Sequence, residues 1–225
     1  VSDLAAIARL LGDPARAAMI DTLMDGTERP SGELARYARI SAATASEHLG
    51  KLVAADLLAV RTHGRHRYYR VAREDVAHAI ESLSALAPAQ RVRSLSHGNL
   101  LAQQRAARTC YGHLAGVLGV AIHDAAIERE WIAVDAEGRY ELTGAGRAHL
   151  TTLGVELDAL PPGRASVRPC LDVTERRPHL GGTAACALAS RARDAGWLVD
   201  GAVPRAVRLT DTGRRVLGDA LALRV

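Results

Sequence analysis

Between residues 31 and 71 the hydrophobic pattern switches from helical to strand period in an order that few folds accommodate. It reads short helix, turn, longer helix, then two β-prone arms around a glycine. Ser31 is placed to N-cap the first helix, whose apolar positions are Leu34, Ala35 and Ala38. Ile40 and Ser41 make the turn, and Ser41 caps a second helix. That helix turns Ala45, Leu49, Leu52 and Val53 inward and leaves Ala42, Ala43, Ser46, Glu47 and Gly50 on the opposite face. Small and hydroxyl-bearing residues at the start of such a helix let its backbone come close to a DNA major groove. Residues 57–62 and 66–71 then flank the turn His63-Gly64-Arg65. Arg61, Arg65, Arg67, Arg70 and Arg73 follow one another with no acid between them, a charge pattern suited to phosphates.

Three segments together closely resemble the ArsR-type winged-helix repressors. They are Ser31-Gly-Glu-Leu-Ala35, Ile40-Ser-Ala-Ala-Thr-Ala-Ser-Glu-His-Leu-Gly-Lys-Leu52 and Asp56-Leu-Leu-Ala-Val-Arg-Thr-His-Gly-Arg-His-Arg-Tyr-Tyr-Arg-Val71. Leu10-Leu-Gly-Asp-Pro-Ala-Arg16 fits that family's junction between its first two helices. The resemblance spans roughly residues 3 to 87. It implies a sequence-specific DNA-binding regulator, a homodimeric repressor on a palindromic operator, released by an effector. Ser41, Ala42, Ala43, Thr44 and Ser46 would then lie nearest the bases, and His48 and Lys51 at phosphates. Arg61, Arg65 and Arg67 would reach backbone or minor groove. Alternating wing residues face opposite ways, so some wing arginines must pair with acids instead. The first helix and the helix after the wing would form the dimer interface.

At 225 residues there is room for two small domains. Phe is absent and aromatics are 3%, so the core must be built from Leu, Ala, Val and Ile, which favours closely packed helices. The 29 basic residues are all arginine except Lys51, yet the net charge is only +4. Local concentration in the wing, rather than global charge, therefore points to nucleic acid. Three cysteines do not make a disulfide framework. No leader and no apolar run of about 20 residues is visible, so a reducing bacterial cytoplasm is the expected compartment.

Residues 2–11 read as an amphipathic helix with Leu4, Ile7, Ala8 and Leu11 on one face. Pro14 opens a second helix carrying Ala18, Met19, Thr22 and Leu23 inward and ending at Gly26. Residues 74–86 form a helix aligned on Val76, Ile80, Leu83 and Leu86, ended by Pro88. The expected organisation is a winged-helix DNA-binding and dimerisation domain over 1–88, a linker helix over 89–104 and a repeat domain over 105–225. The fold class is α+β, mainly helical with small β wings.

The repeat copies are 105–160 and 165–225, joined at Pro161-Pro162-Gly163. Cys110, His113, Trp131 and Leu142-Thr143 in the first recur as Cys170, His179, Trp197 and Leu209-Thr210 in the second. The second copy inserts 172–177 between its Cys and His. Each copy reads helix, strand, turn, strand, helix, with Thr143 and Thr210 capping the last helix. The turn at 135–138 is acidic, unlike the first wing, and does not suit DNA.

The sensor sites of the resembled family do not carry over. Residues 31–35 hold no thiol, and Asp75 and His78 lack the distant ligands, whose place Pro88 and Ala89 occupy. Cys110, His113, Cys170 and His179 offer another metal set, two thiolates and two imidazoles suited to zinc. Buried structural roles and a Cys110–Cys170 redox pair are the other readings. A small organic ligand enclosed by the helical domain is a further one. No phosphate loop, zinc-protease helix or nucleophile elbow is present, so an enzyme is not expected. The competing class is a metal- or small-ligand-binding sensor whose winged helix serves mainly for dimerisation.

Overall fold

The computed structural model describes residues 3–87, 94–158, 160 and 166–221. The N-terminal start at Ser2, the helix end at Pro88 and the Pro161-Pro162-Gly163 junction lie outside them. The chain divides into two compact units, 1–80 and 81–225. The fold is α+β, and none of its described helices is long and apolar enough to cross a membrane.

In the first unit, α1 (Leu4–Leu11) is capped by Asp3 and α2 (Pro14–Leu23) by Asp13, whose carboxylate accepts from the Arg16 N–H. Pro14 occupies the first turn, where its missing N–H is harmless. After β1 (Arg29–Pro30) come α3 (Ser31–Ala38) and α4 (Ala42–Ala54). Ser31 is not the cap expected of it. It is the first helical residue, and Pro30 holds the cap position with no side-chain hydrogen bond. Arg39 ends α3 in the left-handed region at φ 55°, and its N–H and that of Ile40 return to carbonyls of the last turn. Ser41 does cap α4, accepting from the Thr44 N–H at 3.1 Å.

The wing is β2 (Leu58–His63) paired with β3 (His66–Val71), closed by Gly64-Arg65, with Gly64 at φ +58°. β1 adds to the other edge of β3, giving the order β1-β3-β2. Met19, Ile20 and Leu23 of α2 are buried, as are Leu34 of α3, Leu49 and Leu52 of α4, and Tyr69 and Val71 of β3. This core fixes α4 beneath its exposed face. The helix α5 (Glu74–Leu86) follows.

The boundary at Glu81 falls within α5; the second unit then holds α6 (Leu95–Ala106), after which the same sequence of elements occurs twice. The first copy is β4 (Arg108–Cys110), β5 (His113–Ala115), α7 (Gly116–Glu128), β6 (Ile132–Val134), β7 (Tyr140–Leu142) and α8 (Gly144–Thr152). The second is β8 (Arg168–Leu171), β9 (Pro178–Gly181), α9 (Thr183–Asp194), β10 (Leu198–Asp200), β11 (Val207–Leu209) and α10 (Asp211–Leu221). Each copy is therefore hairpin, helix, hairpin, helix. The leading hairpin is not anticipated from sequence: its strands carry Arg108, His113, Pro169 and Pro178, where those of the second hairpin are richer in β-prone residues. Packing is reciprocal: α7 lies on β9, α9 lies on β5, and β5 neighbours β9.

Each copy closes its second hairpin on a threonine. Thr143 and Thr210 accept from the Gly146 and Gly213 N–H groups, both at 3.0 Å, and donate to the carbonyls of Trp131 and Trp197. These glycines allow a close backbone approach. A Cβ at Gly213 would sit 2.1 Å from the Trp197 oxygen, and one at Gly146 2.2 Å from the Trp131 oxygen. We therefore expect Gly213→Ala to cost about 1–3 kcal/mol in urea unfolding, as overpacking does elsewhere. Gly144→Ala, where a Cβ meets nothing within 4 Å, is the neutral control.

Candidate functional site

Two clusters of chemistry-bearing side chains stand out, one in each unit. In the first, α4 presents Ala42, Ala43, Thr44, Ser46, Glu47 and Gly50 to solvent while Ala45, Leu49 and Leu52 face the core. The Ser41 and Thr44 hydroxyls lie 2.8 Å apart, so the cap is tied to the first turn. His48 Nδ1 is 2.9 Å from a nitrogen of Arg16. A guanidinium only donates, so Nδ1 is the acceptor in this contact. Lys51 pairs with Glu47 at 2.6 Å in an exposed i,i+4 contact of small energetic weight.

The wing arginines divide as strand alternation requires. Arg61 donates twice to Glu28 Oε2, at 2.9 and 2.6 Å, and this bond holds the Glu28 carboxyl below its usual range. Arg70 reaches the carbonyls of Val71 and Ala72, and Arg73 binds Asp75. Arg65 and Arg67 are exposed and make no ion pair among the described residues. Sequence reasoning foresaw that some wing arginines would be paired. It had no means of naming Glu28, which lies far upstream.

In the second unit, Cys110 faces His113 across the β4–β5 hairpin, and Cys170 faces His179 across β8–β9. The first pair is brought together by the turn Tyr111-Gly112, at φ 47° and 92°. All four side chains are buried, and their candidate ligand atoms lie within 4.8 Å of one another. The sulfurs are 3.9 Å apart and the two Nε2 atoms 3.1 Å. The separation in sequence between Cys and His differs in the two copies because 172–177 form the turn of the second hairpin. The pairing across the strands is the same in both.

Two further residues hold this centre and were missed from sequence. Asp172, fully buried, lies 2.9 Å from Arg108 and accepts the Gly116 N–H at 2.6 Å. Its other oxygen accepts from the Thr174 N–H, the Thr174 hydroxyl and the Glu175 N–H. Burial pushes the Asp172 carboxyl upward, but Arg108 and these donors outweigh it and hold the pKa well below the carboxylate range. Its Oδ2 is also 3.4 Å from His179 Nδ1. The local signal was Asp172-Val-Thr-Glu175, a side-chain-capped turn. Hydrogen bonding from Cys110 favours the thiolate of Cys170, helped by both imidazoles, while Cys110 itself is raised by that bond and by burial. Burial lowers His113, which favours its neutral imidazole.

An apolar cavity of about 50 Å³ lies among Leu114, Ile122, Trp131, Leu150, Leu180 and Leu188. It is much smaller than the roughly 300 Å³ at which small-molecule sites begin.

Comparison with known proteins places these features among regulators. Residues 11–61 match the model of a family described as a helix-turn-helix domain. Over 213 residues the chain is 40% identical to an uncharacterized HTH-type transcriptional regulator, YdfF, of Bacillus subtilis (strain 168), covering 94% of each. NolR from Sinorhizobium fredii is 28% identical, with a TM-score of 0.35 over 38% of this chain and 85% of its own. The transcriptional repressor BigR from Xylella fastidiosa is also 28% identical, with a TM-score of 0.35 over 39% and 88%.

Proposed function

Because the chain belongs to the winged helix-turn-helix transcriptional regulators, a sequence-specific DNA-binding and non-enzymatic family, we propose that it is an ArsR-type homodimeric repressor released by an effector. The observation that carries this reading is the joint exposure of the small-residue face of α4 and of Arg65 and Arg67 on the wing. Ser41, Ala42, Ala43, Thr44 and Ser46 enter the major groove, with His48 and Lys51 at flanking phosphates. Arg65 and Arg67 contact backbone or minor groove. Arg61 reaches phosphate only by exchanging Glu28 for it.

The functional division assigns 1–88 to DNA binding and dimerisation, 89–104 to a linker and 105–225 to the repeat domain. Dimerisation uses α1 and α5. Leu4 is 77% exposed, Leu83 53% and Leu86 80%, apolar area that a second copy would cover. Twofold symmetry then demands a palindromic operator with half-sites about one helical turn apart. An effector derepresses by favouring a dimer geometry that no longer spans two grooves.

Anisotropy titration of the full chain against duplex from its own upstream region, between 50 and 200 mM salt, tests this reading. Affinity should fall with a log–log slope of about −0.9 per phosphate contact. Ser46→Ala should change preference among operator variants more than overall affinity. Absence of duplex binding across that salt range would overturn the regulator reading in favour of a ligand- or metal-binding sensor that uses its winged helix to dimerise.

A further inference from the structure

We infer that Cys110, His113, Cys170 and His179 hold one zinc ion in a closed tetrahedral shell that ties the two repeat copies together. A tetrahedral zinc with bonds of about 2.3 Å to sulfur and 2.05 Å to nitrogen has edges of about 3.8 Å between sulfurs and 3.3 Å between nitrogens. The cluster presents 3.9 Å and 3.1 Å. The donor set, two thiolates and two neutral imidazoles, suits a borderline-soft divalent cation, and two thiolates neutralise its charge. Binding exchanges the Zn–O bonds of the hydrated ion for two Zn–S and two Zn–N bonds, releasing its water ligands and the thiol protons to solvent with no change of oxidation state.

The surroundings are those of a structural site. All four ligands are at most 2% exposed, and with four protein donors no position is left for water. Asp172 stands behind His179 on its Nδ1 side, so Nε2 is the nitrogen that faces the cluster. Arg108 and three backbone N–H groups fix that carboxylate in turn. The first copy supplies Cys110 and His113 and the second Cys170 and His179, so the ion bridges both hairpins. This inference does not depend on DNA binding.

The test uses the full chain purified without chelator, followed by elemental analysis and replacement of the bound metal by Co²⁺. We expect one zinc per chain and a visible cobalt spectrum of tetrahedral type with thiolate charge transfer. Cys110→Ser and Cys170→Ser should each lose the metal, while Cys186→Ser should keep it. His113→Cys should retain cobalt with stronger charge transfer, which guards against misreading a folding failure. Failure of the reduced protein to take up either metal, with three free thiols, would overturn the proposal. So would a Cys110–Cys170 disulfide whose reduction restores no metal binding, or full zinc content in both serine variants.

Discussion

Reversing both Arg65 and Arg67 to glutamate is expected to weaken binding to every duplex, specific or not, on the order of 10³-fold at 0.1 M salt. In the proposed homodimer two arginines per chain would make four phosphate contacts, each contributing about 0.9 logarithmic units at that salt through counterion release. Repulsion from the new carboxylates adds to the loss. The log–log slope should flatten by about four contacts' worth. Both side chains are exposed and without ion-pair partners among the described residues, so the thermal transition should be unchanged. Arg61→Gln is the informative contrast, since Glu28 already engages that guanidinium and the loss should be smaller. Unchanged duplex affinity in the double variant would remove the wing from the interface.

Asp172→Ala should destabilise the second unit by about 3–5 kcal/mol, the cost of leaving one member of a buried ion pair without its partner. The side chain is 0% exposed and that of Arg108 3%, so water cannot replace the lost carboxylate. The variant also strands the N–H groups of Gly116, Thr174 and Glu175. Equilibrium unfolding in urea, read from the far-ultraviolet circular dichroism, measures the change. Arg105→Ala provides the scale. Its bond to Glu175 at 2.8 Å lies at the surface, where such pairs contribute about 0–1 kcal/mol. A loss below about 1 kcal/mol for Asp172→Ala would mean that the ion pair does not hold this hairpin.

The winged helix was legible because its determinants are local. Ala45, Leu49 and Leu52 repeat along one helix, Ser41 caps within three residues, and Gly64 closes a two-residue turn. What the sequence concealed depends on distant partners. β1 is two residues long and exists only because Tyr68 and Tyr69 offer it an edge. Ser31 carries the side chain of a cap, but the edge pairing of Pro30 advances the helix start by one position. In the repeat domain, Thr143 and Thr210 were readable as caps, and Cys110, His113, Cys170 and His179 as one set. The strands that pair them were not, since Arg108, His113, Pro169 and Pro178 interrupt the β-prone pattern that the second hairpins keep. Asp172 was hidden for a different reason: it sits inside the inserted turn, where the comparison between copies has no counterpart.

Neither repeat copy owns a complete ligand set, and the duplication therefore changes the law by which the centre assembles. A molecule bearing one copy would complete the tetrahedron only by meeting another, so occupancy would rise and fall with expression. Joining the copies in one chain makes the encounter intramolecular, at an effective concentration that does not depend on how much protein is present. Assembly then becomes indifferent to dilution. The two halves are also not equivalent. One carboxylate, Asp172, serves Arg108 and Gly116 of the first copy and faces His179 of the second, an asymmetry closed to a pair of identical molecules obeying a strict twofold.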